Sequence, residues 1–159
     1  MTTVSRLRFL SAALITLLVI TGCGITNKEL AGLAVEVEGI RAFRSSGGET
    51  ELVATLRYHN ETLRPIGIKE MNLKLELNGI NVGKILWKKP LGTMSMSSNT
   101  QDAIFVIKSD STAAQIRNAL SSGSVNYRLE TELTVMSGED EIYARPNATG
   151  SINVSNLSL

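Results

Sequence analysis

The sequence has little of the chemistry that most catalytic and metal sites require. One cysteine and one histidine stand among 159 residues, which leaves too few ligands for a zinc or iron centre and argues against a thiol catalyst. Sixteen basic residues against fifteen acidic ones give a net charge of +1, so the chain lacks the basic excess of a nucleic-acid-binding protein. We therefore expect no metal, no cofactor and no nucleic-acid partner.

Long apolar runs are also missing, and the longest one lies close to the start of the chain. Arg6 and Arg8 precede the apolar run Phe9–Ile20, and small residues follow it. A membrane-spanning helix needs about 20 apolar residues, so this run is too short for a permanent span. A basic start, a short apolar segment and small residues are typical of a secretory signal peptide. We expect residues 1–22 to be removed as this signal.

The four residues from Ile20 to Cys23 resemble the lipobox of bacterial lipoproteins. In that family the cysteine sulfur is acylated and becomes the first mature residue, so the resemblance implies a lipid membrane as a partner through Cys23. Gly24 stands where the family's inner-membrane retention signal has Asp. The resemblance thus implies a cell-envelope protein, on the periplasmic side of the outer membrane if the host is a diderm bacterium. An ordinary signal cleavage site next to a small residue is the alternative reading of Cys23.

Removal of residues 1–22 would leave 14 basic and 15 acidic side chains, a formal charge of −1. No free thiol would remain once Cys23 is acylated, so a disulfide framework is excluded. We expect residues 23–30 to form a lipidated tether and residues 31–159 to form one domain, which must be held by its apolar core.

That domain shows the period-two alternation of half-buried strands. In the third strand the apolar residues change from even-numbered to odd-numbered positions between Ile68 and Met71. An extra residue is needed to keep both sets on one face, which predicts a β-bulge near Lys69 and Glu70. Seven or eight strands are predicted, with Thr131 on the inner side of its strand. The positions that define them are Leu33, Val35, Val37; Leu52, Ala54, Leu56, Tyr58; Ile66, Ile68, Met71, Leu73, Leu75, Leu77; Ile80, Val82; Ala103, Phe105, Ile107; Val125, Tyr127, Leu129, Thr131, Leu133, Val135; Ile142, Tyr143; and Ile152, Val154.

Turn and cap residues divide these strands. Asn78-Gly79 tolerates the positive φ angles of a type I′ turn and predicts a two-residue hairpin. The Ser-rich stretch 88–100 predicts a loop. The polar residues 109–112 can cap one short helix, which would bury Ala113, Ile116, Ala119 and Leu120 and stop at Gly123. Seven to eight short strands with one helix predict an all-β antiparallel sandwich.

The order of these elements resembles the late embryogenesis abundant (LEA) type 2 family, which includes the water stress and hypersensitive response (WHy) domain. The matching parts are the segment 56–60, Ile66 and Ile68, and the segments 73–83 and 105–107, within a similarity that covers about 33–154. The resemblance implies an immunoglobulin or fibronectin III-like sandwich, an association with desiccation and other stress, and no catalytic residues. The family's Asn-Pro-Asn loop is reduced here to Asn60, whose side chain we expect to bond the loop backbone.

Few residues are candidates for chemistry. His59 would need a serine and an aspartate from elsewhere in the fold to act in a hydrolytic triad, and no Gly-x-Ser-x-Gly motif is present. A polar-edge histidine is the simpler interpretation. The acidic residues 139–141 are consecutive, whereas a calcium loop spaces its ligands, so we expect a solvated turn.

The segment Trp87-Lys88-Lys89 places an aromatic ring beside two positive charges. This composition suits anionic lipid headgroups or a protein partner, although an ordinary strand end with exposed lysines has the same composition. Met94 and Met96 follow in the Ser-rich stretch and could form an adaptable contact surface or cover a sheet edge.

The sequence thus favours a non-enzymatic, membrane-anchored lipoprotein that protects the envelope or proteins during desiccation or other stress. The alternative is an envelope adaptor or binding module that docks a protein partner or an apolar ligand. An enzyme is the third hypothesis, because a sandwich can host catalysis but this chain has few residues for it.

Overall fold

The computed structural model describes residues 32–46, 49–155 and 157. The predicted signal peptide (1–22) and the predicted tether (23–30), including Cys23, lie outside these residues. The described part contains nine strands and one helix: β1 (Leu33–Ser46), β2 (Glu49–Asn60), β3 (Ile66–Leu77), β4 (Ile80–Trp87), β5 (Leu91–Thr93), β6 (Ser97–Ile107), α1 (Asp110–Leu120), β7 (Ser124–Ser137), β8 (Asp140–Ala144) and β9 (Ala148–Asn153).

Two antiparallel sheets pack face to face. The smaller sheet has the order β1-β2-β6, and the larger has the order β4-β3-β7-β8, with β5 paired to β3 and β9 paired to β7. The predicted all-β sandwich with one helix is therefore confirmed. The described part has nine strands where seven or eight were expected, and the additional strand β5 lies in a stretch that was predicted to be a loop.

The core lies between the sheets and is mostly aliphatic. Period-two burial is clearest in β7, where every second residue from Val125 to Val135 is buried and the alternate residues are exposed or half-buried. Tyr58 and Phe105 are the largest fully buried side chains. Burial raises the pKa of the Tyr58 hydroxyl well above its ordinary value, so this ring stays neutral within the apolar layer.

Local signals in the sequence produce the predicted irregularities. The β3–β7 register shifts between Ile68 and Glu70, which leaves Lys69 as the bulged residue. This confirms the predicted bulge and explains how both apolar sets of β3 reach the core. Asn78 and Gly79 have φ angles of 48° and 78°, the signs that a type I′ turn requires.

The predicted helix is also confirmed. Ser109 is its N-cap and its side chain accepts a hydrogen bond from the Thr112 backbone N–H, which satisfies one of the free donors of the first turn. Ala113, Ile116 and Leu120 are buried against the sandwich. The helix ends at Leu120, and Gly123 lies beyond its cap with a φ angle of 81°.

The predicted loop over residues 88–100 is wrong in two places, at 91–93 and from 97 onward. Strand β6 begins at Ser97 and pairs with β2 from Asn60 to Thr50, and β5 pairs with Ile66–Ile68. The first residues of β6 are polar because β6 is an edge strand with few apolar neighbours there. Main-chain pairing with β2 forms this strand, and hydrophobic alternation does not reveal it.

One end of the sandwich receives the chain at Gly32, and we call it the entry end. Leu33 pairs with Asn60, which pairs with Ser97. The β2–β3 loop and the short β5–β6 connection therefore lie at the entry end. The Asn78-Gly79 turn and Lys108 lie at the opposite end.

Candidate functional site

The predicted lipidation site cannot be located in the described residues, so acylation of Cys23 stays a prediction. The described chain begins at Gly32, whose carbonyl accepts a hydrogen bond from the Glu61 backbone N–H at 2.8 Å. This bond fixes where the preceding residues join the domain. None of the helices in the described ranges is long and apolar enough to cross a membrane.

Trp87 and the two lysines lie where β4 ends. The Trp87 ring is half-buried and packs against the core, and its indole Nε1 donates a hydrogen bond to the Lys89 carbonyl oxygen at 2.8 Å. Lys88 and Lys89 are exposed, and within residues 32–157 as described neither has an ion-pair partner. Trp87 therefore serves partly as a structural residue that holds the lysine segment against the sandwich.

A shallow groove of about 620 Å³ lies beside Trp87. It runs from β4 across β6 to β1, and its apolar lining comes from Val53, Ile85 and Ile104. Ile104 is 47% exposed, so the groove opens an apolar surface to solvent. Basic side chains from β1 and the lysine segment surround this lining; the groove residues are Arg41, Ala42, Arg44, Val53, Ile85, Trp87, Lys89, Gln101, Asp102 and Ile104.

The arginines of the groove are neutralised by neighbouring carboxylates. Arg41 lies at a register shift of β1, and its Nη1 contacts Asp102 Oδ2 at 2.6 Å. Thr55 Oγ1 donates a further hydrogen bond to Asp102 at 2.8 Å. Arg44 pairs with Glu51 in the same way, at 3.0 Å. The uncompensated positive charge at this surface is that of the lysine segment, which favours a ligand with an apolar part and an acidic group.

Asn60 is buried at the entry end and holds two loops together. Its Nδ2 group lies within hydrogen-bond distance of the carbonyl oxygens of Arg64, Thr93 and Met94, at 2.9, 3.2 and 2.9 Å. Its Oδ1 accepts bonds from the Thr62 backbone N–H and hydroxyl, at 3.0 and 2.7 Å. The side chain therefore bonds loop backbone, as expected for this position, and has no capacity left for a ligand.

His59 and the acidic turn are engaged in ordinary surface contacts. His59 Nε2 lies 2.9 Å from Glu36 Oε1 on the outer face of the smaller sheet. Lys69 donates a hydrogen bond to Glu141 at 2.9 Å, which lowers the pKa of the Glu141 carboxyl and raises that of the Lys69 ammonium. In the part of the chain that the structure covers, no group of three acidic, histidine or cysteine side chains is placed to hold a metal ion.

A second cleft, of about 230 Å³, lies on the outer face of the larger sheet. Lys74 occupies it and contacts Glu76 at 2.8 Å and Glu130 at 3.3 Å, bonds that raise the pKa of the lysine. Arg145 contacts Glu132 at 3.3 Å across the same cleft. These opposite charges compensate one another, so the cleft has no strong preference for an anion or a cation.

Trp87 and Lys89 were predicted from the sequence as surface residues, whereas the other groove residues were not. Arg41 and Ile104 come from strands far apart in the sequence, and antiparallel pairing through β2 brings them together. The signal that could have found them is Ile104 itself, an apolar residue on the outward parity of β6, as is Val106. Outward apolar residues in consecutive alternate positions indicate a contact surface.

This arrangement defines a sandwich domain with an open groove and cross-bonded loops, and comparison with known proteins agrees on the fold. Neither a protein-family model nor a curated protein matches the sequence. The chain is similar to a solution structure from Arabidopsis thaliana, with 16% identity, 79% of this chain and 86% of that chain covered, and a TM-score of 0.51.

It is also similar to the solution structure of a candidate late embryogenesis abundant (LEA) protein, with 11% identity, 80% of this chain and 74% of that chain covered, and a TM-score of 0.52. A crystal structure from Archaeoglobus fulgidus aligns with 18% identity, 74% of this chain and 97% of that chain, at a TM-score of 0.44. At these identities the similarity shows a shared fold, so the chain has an LEA-like sandwich fold.

Proposed function

We propose that this protein is a non-enzymatic lipoprotein of the cell envelope that protects membranes or proteins when water is withdrawn. The observation that carries the proposal is the fold shared with an LEA protein, at a TM-score of 0.52. The lipobox-like segment that ends at Cys23 adds the envelope location. Because Gly24 follows Cys23, the proposed destination in a diderm host is the periplasmic face of the outer membrane.

The contacts of the polar residues support a binding role over a catalytic one. His59 is bonded to Glu36, Asn60 to loop backbone and Lys74 to two glutamates. These three side chains, which include the single histidine of the sequence, are each bonded to a structural partner. Protection would come from the surface of a stable sandwich that binds weakly to many neighbours.

Survival of drying by host cells tests the proposal. Cells with the native gene should survive better than cells without it, and a Cys23→Ser version, which cannot receive a thioether-linked lipid, should give no benefit. Protein amounts must be matched by immunoblotting, since loss of the protein would imitate loss of the anchor. Equal survival with and without the gene would refute protection, and full benefit from Cys23→Ser would refute the need for the anchor.

The groove beside Trp87 favours a second candidate, an adaptor that docks an acidic, partly apolar segment of an envelope protein. Exposed Ile104 and the uncompensated lysines support it. Crosslinking in cells should recover one stoichiometric partner in ordinary and low-water conditions. The double variant Lys88→Glu with Lys89→Glu should release that partner, whereas Lys108→Glu, at the opposite end, should keep it. A partner that survives the double reversal would exclude this surface.

A further inference from the structure

Three of the seven large apolar side chains that are exposed in the described part of the chain lie at the entry end of the sandwich. Leu63 is 86% exposed, and Met94 and Met96 are each 68% exposed. Single exposed apolar residues are normal on a protein surface, but these three belong to two loops that touch. Met96 N donates to the Thr62 carbonyl at 3.2 Å, and Asn60 bonds the Met94 carbonyl.

The backbone at Met96 also departs from what the side chain prefers. Its φ angle is 51°, a left-handed conformation that Gly or Asn adopts at lower free energy than a long unbranched residue. The turn therefore holds a large apolar side chain in solvent at a position where a polar residue would fit better. Such a combination indicates a contact made by the side chain outside the domain.

The position of the chain's start identifies that contact. The residues before Gly32 join the domain at this same end, next to Glu61. Eight residues separate Cys23 from Gly32, and the nine peptide links between them span at most about 32 Å. A lipid on Cys23 would hold the entry end within that distance of the bilayer, at an effective concentration on the order of millimolar. A weak apolar contact is then enough to keep the end docked.

We propose that Leu63, Met94 and Met96 form a membrane-docking surface that inserts into the lipid interface and sets the domain upright on the membrane. This inference rests on the proposed lipid anchor and adds to it a specific surface and orientation. The entry end exposes the acidic residues Glu61, Glu139 and Asp140 as well as the basic residue Arg64 beside Leu63, so we assign the attraction to the apolar side chains. Anionic lipids should therefore bring no gain.

The methionines themselves provide the measurement, because a methionine inserted in lipid is shielded from oxidant in water. The described elements all begin after Gly32, so a chain that starts at Cys23 retains them. Its single thiol can be coupled to a maleimide lipid in phosphatidylcholine vesicles. Hydrogen peroxide is added, and mass spectrometry follows sulfoxide formation at Met94 and Met96 in coupled and uncoupled chains.

Coupling should slow oxidation at both methionines by about fivefold or more, as expected for a weak apolar contact at high effective concentration. Leu63→Asp should return both rates to within about twofold of the uncoupled chain. Leu86→Asp removes an equally apolar side chain, 55% exposed on the outer face of β4, and should change nothing. A reference methionine from Lys108→Met, at the opposite end, should oxidise at one rate in both states.

Three results would overturn the proposal. Equal rates at Met94 in coupled and uncoupled chains would mean that the end does not dock. Protection that appears only with phosphatidylglycerol would assign the contact to the lysine segment. Protection that rises with protein concentration in the absence of vesicles would assign the surface to a second copy of the chain.

The anchor is tested separately by the mass of the Cys23 peptide from cells. Because coupling in vitro supplies a lipid whether or not the cell does, an unmodified Cys23 would refute the proposed anchor and leave the docking result interpretable.

Discussion

Replacement of Asn60 by alanine tests the loop arrangement most directly. The substitution removes the amide that contacts three carbonyls and the oxygen that accepts two bonds from Thr62. The bond to the Thr93 carbonyl is buried, so that oxygen would stay without a partner, whereas the part-buried groups can recruit water. An orphaned buried acceptor costs about 1–3 kcal/mol and each lost bond about 1 kcal/mol or less after rehydration.

The expected loss of stability for Asn60→Ala is therefore about 3 kcal/mol, equivalent to about 10 °C in Tm for a domain of this size. Urea unfolding followed by tryptophan fluorescence measures it, with an unchanged slope as the sign that two-state behaviour holds. Asn99→Ala is the matched control, because Asn99 is exposed and makes one side-chain bond, to the Gly92 carbonyl at 2.8 Å. That control should lose about 0.5–1 kcal/mol.

Asn60→Asp keeps the volume of the side chain but removes its Nδ2 donor, so it separates the loss of these hydrogen bonds from the loss of packing. A carboxylate facing three carbonyl oxygens in a buried site should have its pKa raised by burial and repulsion. The folded state would then bind a proton more tightly than the unfolded state, so the deficit relative to the native chain should grow as pH rises from about 4 to 7. If Asn60→Ala is no more harmful than Asn99→Ala, the two loops are not held by this side chain and the reasoning fails.

Three further substitutions have definite expected results. Gly150→Ala would place a Cβ atom 2.7 Å from Tyr127 Cε1 and should lower the free energy of unfolding by about 1–2 kcal/mol; no loss in a urea titration would show that the ring moves freely. Thr131→Val should raise stability by about 1 kcal/mol, because Thr131 Oγ1 is buried without a hydrogen-bond partner in the described part of the chain; calorimetry that shows a lower Tm would point to an unseen partner. Lys69→Met should raise the pKa of Glu141 towards its ordinary value, since the hydrogen bond from Lys69 lowers it. The stability that this pair contributes is present above the ordinary glutamate pKa and is lost as pH falls through the lowered pKa of Glu141. An NMR titration in which Lys69→Met leaves the pKa of Glu141 unchanged would contradict the pairing.

Elements with strong local signals were predictable from the sequence. The Asn78-Gly79 turn, the Ser109 cap and the bulge at Lys69 each follow from residues within a few positions of one another. The inward parity of Thr131 was predicted for the same reason, since neighbours on β7 determine its side of the sheet. Local geometry dictates these features before any distant contact forms.

Features that depend on distant strands were not predictable. The polar start of β6 is a strand because β2 lies beside it, and nothing within residues 97–102 indicates that pairing. The groove likewise needs Arg41, Ile104 and Trp87 to meet through two different sheets. Leu63 was overlooked because an isolated leucine in a loop acquires meaning only once Met94 and Met96 are seen beside it.

The two register shifts of β1 have a consequence for how the protein behaves when crowded. β1 is an edge strand, and its pairing with β2 is interrupted at Glu38 and again at Arg41. An incoming strand would find its ladder broken twice within four residues and opposed by charged side chains, which disfavours edge-to-edge aggregation. Whenever proteins are concentrated, for example by drying, an edge of this kind disfavours the strand-to-strand contacts that would remove a domain from solution.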